Sequence, residues 1–244
     1  MQKAELTRLA QTLIHVKNFH WIVVEDSHSG KTPLVTNFLA NCGVKYTHLN
    51  VSTPPEVKLG SNDPNWLKPR GVLQRNRGLQ WLRDNRRDGR DDNGVVYFLD
   101  DDNTYDLRIF EEMRFIGTCG VWPVGLVGGL LFERPLINAD NRVVGWHSGW
   151  KPNTRPFAMD MAGFAISLKR VLSHPDAYFS LRVKRGYQEG TILKLMNVEL
   201  RDLEPKANNC TEIYVWHTRT EKPDLKMEKK YRMKGIGSSH DVEV

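Results

Sequence analysis

The sequence has few cysteines and no long hydrophobic run. Its three cysteines, Cys42, Cys119 and Cys210, lie far apart and form no Cys-x-x-Cys pair, so neither a zinc site nor a dense disulfide framework is predicted. The longest apolar stretch, Val121–Phe132, is 12 residues long and contains Pro and Gly. It is too short and too broken to span a bilayer. The first residues also lack the apolar core of a signal peptide, so neither a membrane-spanning helix nor a leader is expected.

A strong excess of charge of one sign is also missing. The 244 residues include 35 Lys or Arg and 29 Asp or Glu, a net charge of +6. That balance suits an anionic ligand, but without a basic helix or an aromatic platform it does not predict binding to nucleic acid. Hydrophobic residues make up 40% and charged residues 26%, which are globular values and argue against a disordered chain. We expect one globular domain or two small ones.

Helices and strands alternate through the first hundred residues. Apolar residues at helical spacing predict an amphipathic helix over Gln2–Lys17 and further helices near residues 34–39 and 71–84. Short apolar runs predict buried strands, at residues 21–24, 46–51 and 95–99. The alternation predicts a layered α/β fold with a parallel sheet, although the sequence opens on a helix where a βαβ unit opens on a strand.

The pattern changes after residue 103. Helices are predicted over residues 107–114 and 188–196, and Ser167 is placed to cap a third. Strands are predicted at residues 120–127, 130–133, 142–147 and 212–217. The tail, residues 222–244, is polar, basic and weakly patterned, and no element is predicted in it.

Three adjacent carboxylates, Asp100, Asp101 and Asp102, directly follow the predicted strand VVYFL. Adjacent carboxylates repel one another, and a hard divalent cation such as Mn²⁺ or Mg²⁺ would relieve that repulsion. The carboxyl ends of strands are also where open α/β sheets bind ligands. A solvated acidic turn, in which Asp102 or Asn103 caps the next helix, explains the same residues equally well.

Two pairs of cationic residues are candidates for anion binding. His217 and Arg219 are two residues apart at the end of the last predicted strand, so both point to one face if the strand continues. Arg70 and Arg75 flank the start of the third helix, and a helix N-terminus favours anions. Taken alone, each pair is more simply explained as ordinary surface residues.

Two further features have alternative explanations. Glu189 falls at the start of a predicted helix, where the helix dipole favours a carboxylate and where a general base could also lie. Asn50 and Asn209 begin N-x-S/T triplets, which are compatible with glycosylation in a secretory-pathway lumen. A metal-dependent phosphotransferase using the acidic residues is a competing function, but HSGKTP does not match the phosphate loop GxxxxGK[ST].

Several sequence blocks together resemble the inverting β-1,3-glucuronosyltransferases, glycosyltransferase family 43. The matching blocks, in family order, are HWIVVED, KPRGVLQRN, VVYFLDDDNTY, VWPVGLVGG, RPFAMDMAGFAISL, RGYQE, LEPKANNCT and VWHTRTEKP. They run from about residue 3 to residue 223, and DDDNTY together with WHTRTEKP is highly specific. The resemblance implies a glycosyltransferase A fold. A Rossmann-like half that binds the UDP-sugar would span residues 1–103, and an acceptor-binding and catalytic half would span residues 104–244.

The resemblance also implies an activity. Glucuronate would be transferred from UDP-glucuronate, with inversion, to the 3-hydroxyl of a terminal galactose, and Mn²⁺ would be the cofactor. The expected acceptor is the Gal-Gal-Xyl linker of proteoglycans, and N-acetyllactosamine termini of glycoproteins are the alternative. A homodimer on the lumenal side of the Golgi membrane is implied as well, with a type II anchor that this sequence does not contain.

By motif match, Asp102 would ligate the metal and Glu189 would be the catalytic base. The residues that would contact the donor are Asp26, Arg70, Arg75, Asp100, Asp101, His217 and Arg219. The residues that would line the acceptor site are Glu133, Arg155 and Asp160. The family opens with a strand that carries Thr-Pro-Thr-Tyr, which is absent from this sequence. The fold is therefore expected to lack its first strand, and an inactive fragment that keeps only binding or dimer contacts is a further alternative.

Overall fold

The computed structural model describes residues 2–60, 62–64, 67–86, 93–151, 153–221 and 223–236. The helices are α1 (Gln2–Leu13), α2 (Pro33–Asn41), α3 (Val72–Asn85), α4 (Leu107–Met113), α5 (Leu168–Ser173), α6 (Gln188–Leu195), α7 (Ala207–Cys210) and α8 (Lys226–Met233). The strands are β1 (Trp21–Glu25), β2 (Tyr46–Asn50), β3 (Val95–Tyr97), β4 (Thr104–Tyr105), β5 (Cys119–Val121), β6 (Val124–Gly125), β7 (Phe132–Ile137), β8 (Val143–His147), β9 (Phe164–Ser167), β10 (Leu203–Pro205) and β11 (Val215–Trp216). The mixed α/β fold is the predicted class.

The strands form three groups. β1 and β2 are a parallel pair, a second sheet has the order β10-β5-β9-β3, and a third has the order β4-β11-β6-β7-β8. The predicted parallel pairing is confirmed for β1 and β2. It is wrong for β3, which pairs antiparallel with β9 from the second half of the chain. Local sequence pattern predicts that a segment is a strand, but it does not choose among distant partners.

β1 and β3 each have an edge without a hydrogen-bonded neighbour among the described residues, because β1 pairs with β2 and β3 pairs with β9. Two helices connect the β1–β2 pair to the sheet that contains β3 and β9. α3 packs on β1 and β2 and also contacts α5, which packs on β3 and β9. The residues of β3 are half-buried, so the prediction of a buried strand over residues 95–99 is wrong in both length and burial.

The boundaries of the predicted elements moved for identifiable reasons. α1 ends at Leu13 instead of Lys17, because the backbone bonds that follow span three residues, from His15 N to Thr12 O and from Val16 N to Leu13 O. The strand predicted over residues 120–127 is two strands in two different sheets, β5 and β6. Ser167 caps α5 as predicted, because its side chain accepts a hydrogen bond from Arg170 N.

Two hydrophobic clusters fill the interior. One buries α1 through Leu6, Leu9 and Leu13 together with residues of α2 and α4, and the other surrounds Phe164 and Ile166 of β9. The tail, predicted to have no element, contains α8, none of whose residues is buried. Residues 222 and 237–244 of that tail lie outside the described residues. In the part of the chain that the structure describes, no helix is long and apolar enough to cross a membrane.

Candidate active site

The acidic residues lie in a tight loop between β3 and β4. Tyr105 closes this loop, because its hydroxyl accepts from Asp100 N and donates to Asp100 O, each at 3.0 Å. The helix that follows is capped by Asp106, whose side chain accepts from Arg108 N. The alternative in which Asp102 or Asn103 caps that helix is therefore wrong.

Electrostatics in this loop disfavour the ionised carboxylates. Burial raises the pKa of Asp101 above its ordinary value, and the charges of Glu5 and Asp102 raise it further. The pKa of Asp102 is raised by burial and then by the charge of Asp100. Sequence analysis missed Glu5, which reaches the loop from α1. A bound cation would remove this unfavourable repulsion.

The donor set of the acidic loop fits a magnesium-like cation. The described residues contain no group of three His, Cys, Asp or Glu that could hold a metal ion by themselves. Mg²⁺ is commonly bound by one or two carboxylates together with the phosphates of the substrate and water. Asp102 and its neighbours could supply the carboxylates of such a partial set.

The predicted cationic pair at the chain's last strand lies beside the acidic loop. β11 pairs antiparallel with β4, with Trp216 opposite Thr104. The strand ends at Trp216, so the premise that it continues through His217 and Arg219 is wrong. His217 Nδ1 lies 3.5 Å from Asp160 Oδ2, and Arg219 is exposed.

Arg75 links α3 to the acidic loop, whereas Arg70 contributes its backbone. The Arg75 guanidinium donates from Nη2 to Asp100 Oδ1 at 3.1 Å and from Nη1 to Arg70 O at 2.9 Å. The side chain of Arg75 folds back over Gly71, where a Cβ atom would approach Arg75 Nη1 to 2.8 Å. Gly71 also has a φ of 70°, which favours glycine. The Arg70 residue is exposed.

Glu189 occupies the first turn of α6. Burial raises the pKa of its carboxyl to about 7, with a smaller contribution from Asp160, while Arg75 and Arg155 oppose the shift. A carboxylate whose only role was to complement the helix dipole would be favoured in its ionised form. The raised pKa instead suits a general base that must accept and release a proton near neutral pH.

The predicted acceptor residues lie near Glu189. Arg155 is buried, and its guanidinium donates to Trp150 O, Ser148 Oγ and Gly186 O. Burial lowers the pKa of Arg155, and the negative charge of Glu133 opposes that shift.

Asp160 is influenced by both parts of the site. Burial raises its pKa, the neighbouring His217 opposes that shift, and Asp100 and Glu133 raise it further. Glu133 itself is buried and accepts from Ser148 Oγ at 2.7 Å and Gly149 N at 2.8 Å. The structure thus brings the acidic loop, Asp160, Glu133 and Glu189 within electrostatic range of one another.

Asp26 lies at a separate corner, at the end of β1. Its Oδ1 accepts from Thr53 N at 2.8 Å and lies 3.7 Å from Lys58 Nζ. Burial would raise the pKa of Asp26, but the hydrogen bond from Thr53 and the charge of Lys58 hold it below its ordinary value. Asp26 is therefore suited to remain an ionised hydrogen-bond acceptor.

The two sequon asparagines differ in exposure. Asn50 is half-buried at the end of β2, and its Nδ2 donates to Ser27 O at 3.5 Å. Asn209 is exposed in α7, a turn in which all four residues have positive φ, and its Nδ2 donates to Asn141 Oδ1 at 3.0 Å.

Sequence reasoning missed Arg8 on α1 and Thr218 after β11. Arg8 Nη2 donates to Asp102 O at 3.2 Å, and Thr218 Oγ1 donates to the same carbonyl at 2.5 Å. The helical spacing of α1 predicts which face is apolar but not what the polar face touches. Only the position of Thr218 between His217 and Arg219 could have drawn attention to it.

Comparison with known proteins places this site in a family. The sequence profile of Glycosyltransferase family 43 matches residues 9–221. Galactosylgalactosylxylosylprotein 3-beta-glucuronosyltransferase 3 of Mus musculus is 50% identical over 252 residues, which cover 100% of this chain and 74% of the relative. Galactosylgalactosylxylosylprotein 3-beta-glucuronosyltransferase 1 of Homo sapiens is 54% identical over 231 residues, which cover 94% and 68%. The chain therefore belongs to glycosyltransferase family 43.

Proposed function

We propose that this chain transfers glucuronate from UDP-glucuronate to the 3-hydroxyl of the terminal galactose in the Gal-Gal-Xyl linker of proteoglycans. The single observation that carries the proposal is the position of Glu189 in the first turn of α6, near Asp160, Arg75 and Arg155. Burial there raises the pKa of its carboxyl, which suits a general base. The named relatives are 3-beta-glucuronosyltransferases of this linker, which supports the same substrate class.

The reaction is a single displacement at the anomeric carbon of glucuronate. The galactose 3-hydroxyl attacks that carbon while the Glu189 carboxylate takes the hydroxyl proton. The bond to the UDP oxygen breaks on the opposite face, so an α-linked donor gives a β-linked product. The raised pKa of Glu189 lets its carboxyl exchange a proton near neutral pH.

The leaving diphosphate gains negative charge, and cationic side chains are placed to offset it. Arg75 and His217 lie beside the acidic loop through Asp100 and Asp160, and Arg219 follows two residues after His217. When bound, Mn²⁺ would neutralise further charge on the diphosphate. Asp102 would hold the cation, and Asp100 and Asp101 would contact the donor sugar and ribose.

The other proposed substrate contacts are divided between the two halves of the chain. Residues 1–103 supply Asp26 for the uridine and Arg70 for the diphosphate. Residues 104–244 supply Glu133, Arg155 and Asp160 around the sugars, as well as the cationic segment after β11. The donor site therefore draws on both halves. We further propose a homodimer in the lumen of the Golgi, with Asn209 and Asn50 as candidate glycosylation sites and without a nucleic-acid partner.

The test is glucuronate transfer with two acceptors and with and without Mn²⁺. We expect transfer to a galactosyl-galactosyl-xyloside, a β linkage in the product, and loss of activity on chelation. If the protein prefers N-acetyllactosamine, the acceptor is the N-acetyllactosamine terminus of glycoproteins and not the Gal-Gal-Xyl linker. Calorimetry of UDP-glucuronate binding to the same protein tests the remaining alternative, an inactive fragment. A folded protein that neither binds the donor nor transfers glucuronate would be such a fragment.

A further inference from the structure

The segment after β11 carries two proposed donor-binding residues but makes few backbone bonds. β11 ends at Trp216. His217 N donates to β6 at 2.9 Å, whereas the backbone of Arg219 and Thr220 makes no hydrogen bond among the described residues. Without ladder bonds, the position of Arg219 depends on what its neighbours' side chains contact.

Those neighbours converge on one carbonyl of the acidic loop. Thr218 Oγ1 donates to Asp102 O at 2.5 Å. Arg8 Nη2, from α1, donates to the same Asp102 O at 3.2 Å and to Thr220 Oγ1 at 3.4 Å. The residues on either side of Arg219 are thus both connected to the carbonyl of Asp102, one directly and one through Arg8.

The chemistry of arginine explains why this residue suits the position. Both bonds leave one nitrogen, Nη2, whose two N–H groups are fixed in the plane of the guanidinium, so this single nitrogen can bond acceptors on two different segments. Lysine keeps the charge but concentrates its donors at one flexible ammonium. Arg8 is exposed and lies outside the hydrophobic clusters, so its contacts contribute little to the core that holds α1 in place.

We propose that Arg8 is a positioning residue of the donor site, which clamps the acidic loop to residues 217–220 and so fixes Arg219 relative to Asp102. Arg8 acts through its contacts with Asp102 and Thr220 and does not itself touch the donor. The consequence for donor binding rests on the proposed function. The clamp itself is a property of the protein without any ligand.

The first experiment tests the clamp in the ligand-free protein by hydrogen exchange and mass spectrometry. In Arg8→Met, we expect the amides of His217 and Thr218 to exchange several-fold faster than in the unmodified protein, and Arg8→Lys to lie between the two. The matched control is Arg201→Met, because Arg201 is also exposed and pairs with Glu199 at 3.0 Å outside this site. Unchanged exchange of these amides in Arg8→Met would overturn the clamp.

The second experiment tests the consequence for the donor, using calorimetry of UDP with Mn²⁺. Supporting residues around metal sites typically contribute 10–100-fold to affinity, so we expect Arg8→Met to bind UDP ~10-fold more weakly and Arg8→Lys to lose less. The KM of Arg8→Met for the acceptor should not change, and Arg201→Met should bind UDP as tightly as the unmodified protein. Normal UDP affinity in Arg8→Met would overturn the positioning role alone. An unmodified protein that binds no UDP would instead overturn the proposed function, while the exchange result still decides the clamp.

Discussion

At the scale of the residue, two carboxylates in this chain have opposite environments. Glu189 has a pKa of about 7, because burial outweighs the cations Arg75 and Arg155 that favour its ionised form. Asp26 has a pKa below its ordinary value, because a backbone N–H and Lys58 outweigh its burial. The first is suited to exchange a proton and the second to remain a permanent acceptor.

Replacing Glu189 with Gln should separate catalysis from donor binding. The amide keeps the size of the side chain but cannot take the acceptor's proton, so turnover should fall by at least ~10²-fold. The donor contacts lie on other residues, so UDP-glucuronate affinity should persist. Transfer assays run alongside calorimetry check both values. Near-normal transfer would direct the search for the base to Asp160 or Glu133.

The same variant should change the pH dependence of stability. The folded protein binds the Glu189 proton more tightly than the unfolded chain does, since the pKa rises from 4.5 to about 7 on folding. Stability is therefore lost as pH rises between those two values. At pH 8, Glu189→Gln should raise the free energy of unfolding by on the order of 1–3 kcal/mol, and at pH 4 by little. Urea titrations at both pH values measure this, and equal differences at the two would contradict it.

Asp102→Asn should remove Mn²⁺-dependent UDP binding and leave the fold intact. The ionised carboxylate is disfavoured by burial and by Asp100, so losing its charge should not destabilise the protein at pH 7. Asp106→Asn is the matched control, because it removes one nearby carboxylate charge, keeps a side-chain oxygen to cap α4 and leaves Asp102 in place. Calorimetry that finds the same UDP affinity for Asp102→Asn and the unmodified protein would refute the metal assignment.

At the scale of the element, a buried polar network ties β1, β2 and α2 together next to Asp26. Glu25 Oε2 lies 2.6 Å from His48 Nε2 and accepts from Thr32 N at 3.0 Å. Thr32 Oγ1 donates to Glu25 Oε1 at 2.7 Å and accepts from Val35 N at the start of α2. One hydroxyl thus caps a helix and satisfies a buried carboxylate, and both uses hold the end of β1 in place.

Thr32→Ala should therefore destabilise the protein more than the loss of a helix cap alone. Loss of the cap and of one bond to Glu25 predicts a decrease of about 1–2 kcal/mol in the free energy of unfolding. Thr32→Ser keeps the hydroxyl and should stay within ~0.5 kcal/mol of the unmodified protein. Urea denaturation of the two variants makes the comparison, and equal losses in both would show that the methyl group matters and the hydroxyl does not.

At the scale of the whole molecule, hydrogen bonding is unevenly distributed between the sheets. β9 lies between β5 and β3 and is bonded on both sides, whereas β1 is bonded on the β2 side only among the described residues. The residues of β9 are all buried, and the three central residues of β1 are half-buried. The interior of the fold is therefore best consolidated around β9, away from the β1 edge.

This distribution predicts the order of hydrogen exchange across the protein. Amides of β9 should exchange slowest, near the rate set by global unfolding, while amides of β1 that face its open edge should exchange at least ~10-fold faster. Exchange measured by NMR at several denaturant concentrations distinguishes local from global opening. Equal protection of β1 and β9 would mean that the β1 edge is covered in solution.

The sequence by itself determined the type and approximate position of most elements, because helical periodicity, apolar runs and capping chemistry are local. The cap at Ser167 and the start of α6 near Glu189 were both predictable for this reason. The placement of Asp100 to Asp102 in the loop after a strand was predictable too, although β3 ends at Tyr97 and the predicted strand ran to residue 99. The motif blocks also determined the family, since they retain both residue type and order over nearly the whole chain.

Only the tertiary structure decided the partner of β3, the short extent of β11 and the contacts of Arg8. Each depends on segments that are far apart in the chain, and pairing between such segments is set by packing over the whole core. The pKa of Glu189 has the same origin. Its sequence position favours an ionised carboxylate, but its proton affinity follows from burial among segments that are distant in the chain, and desolvation by distant residues leaves no trace in local sequence.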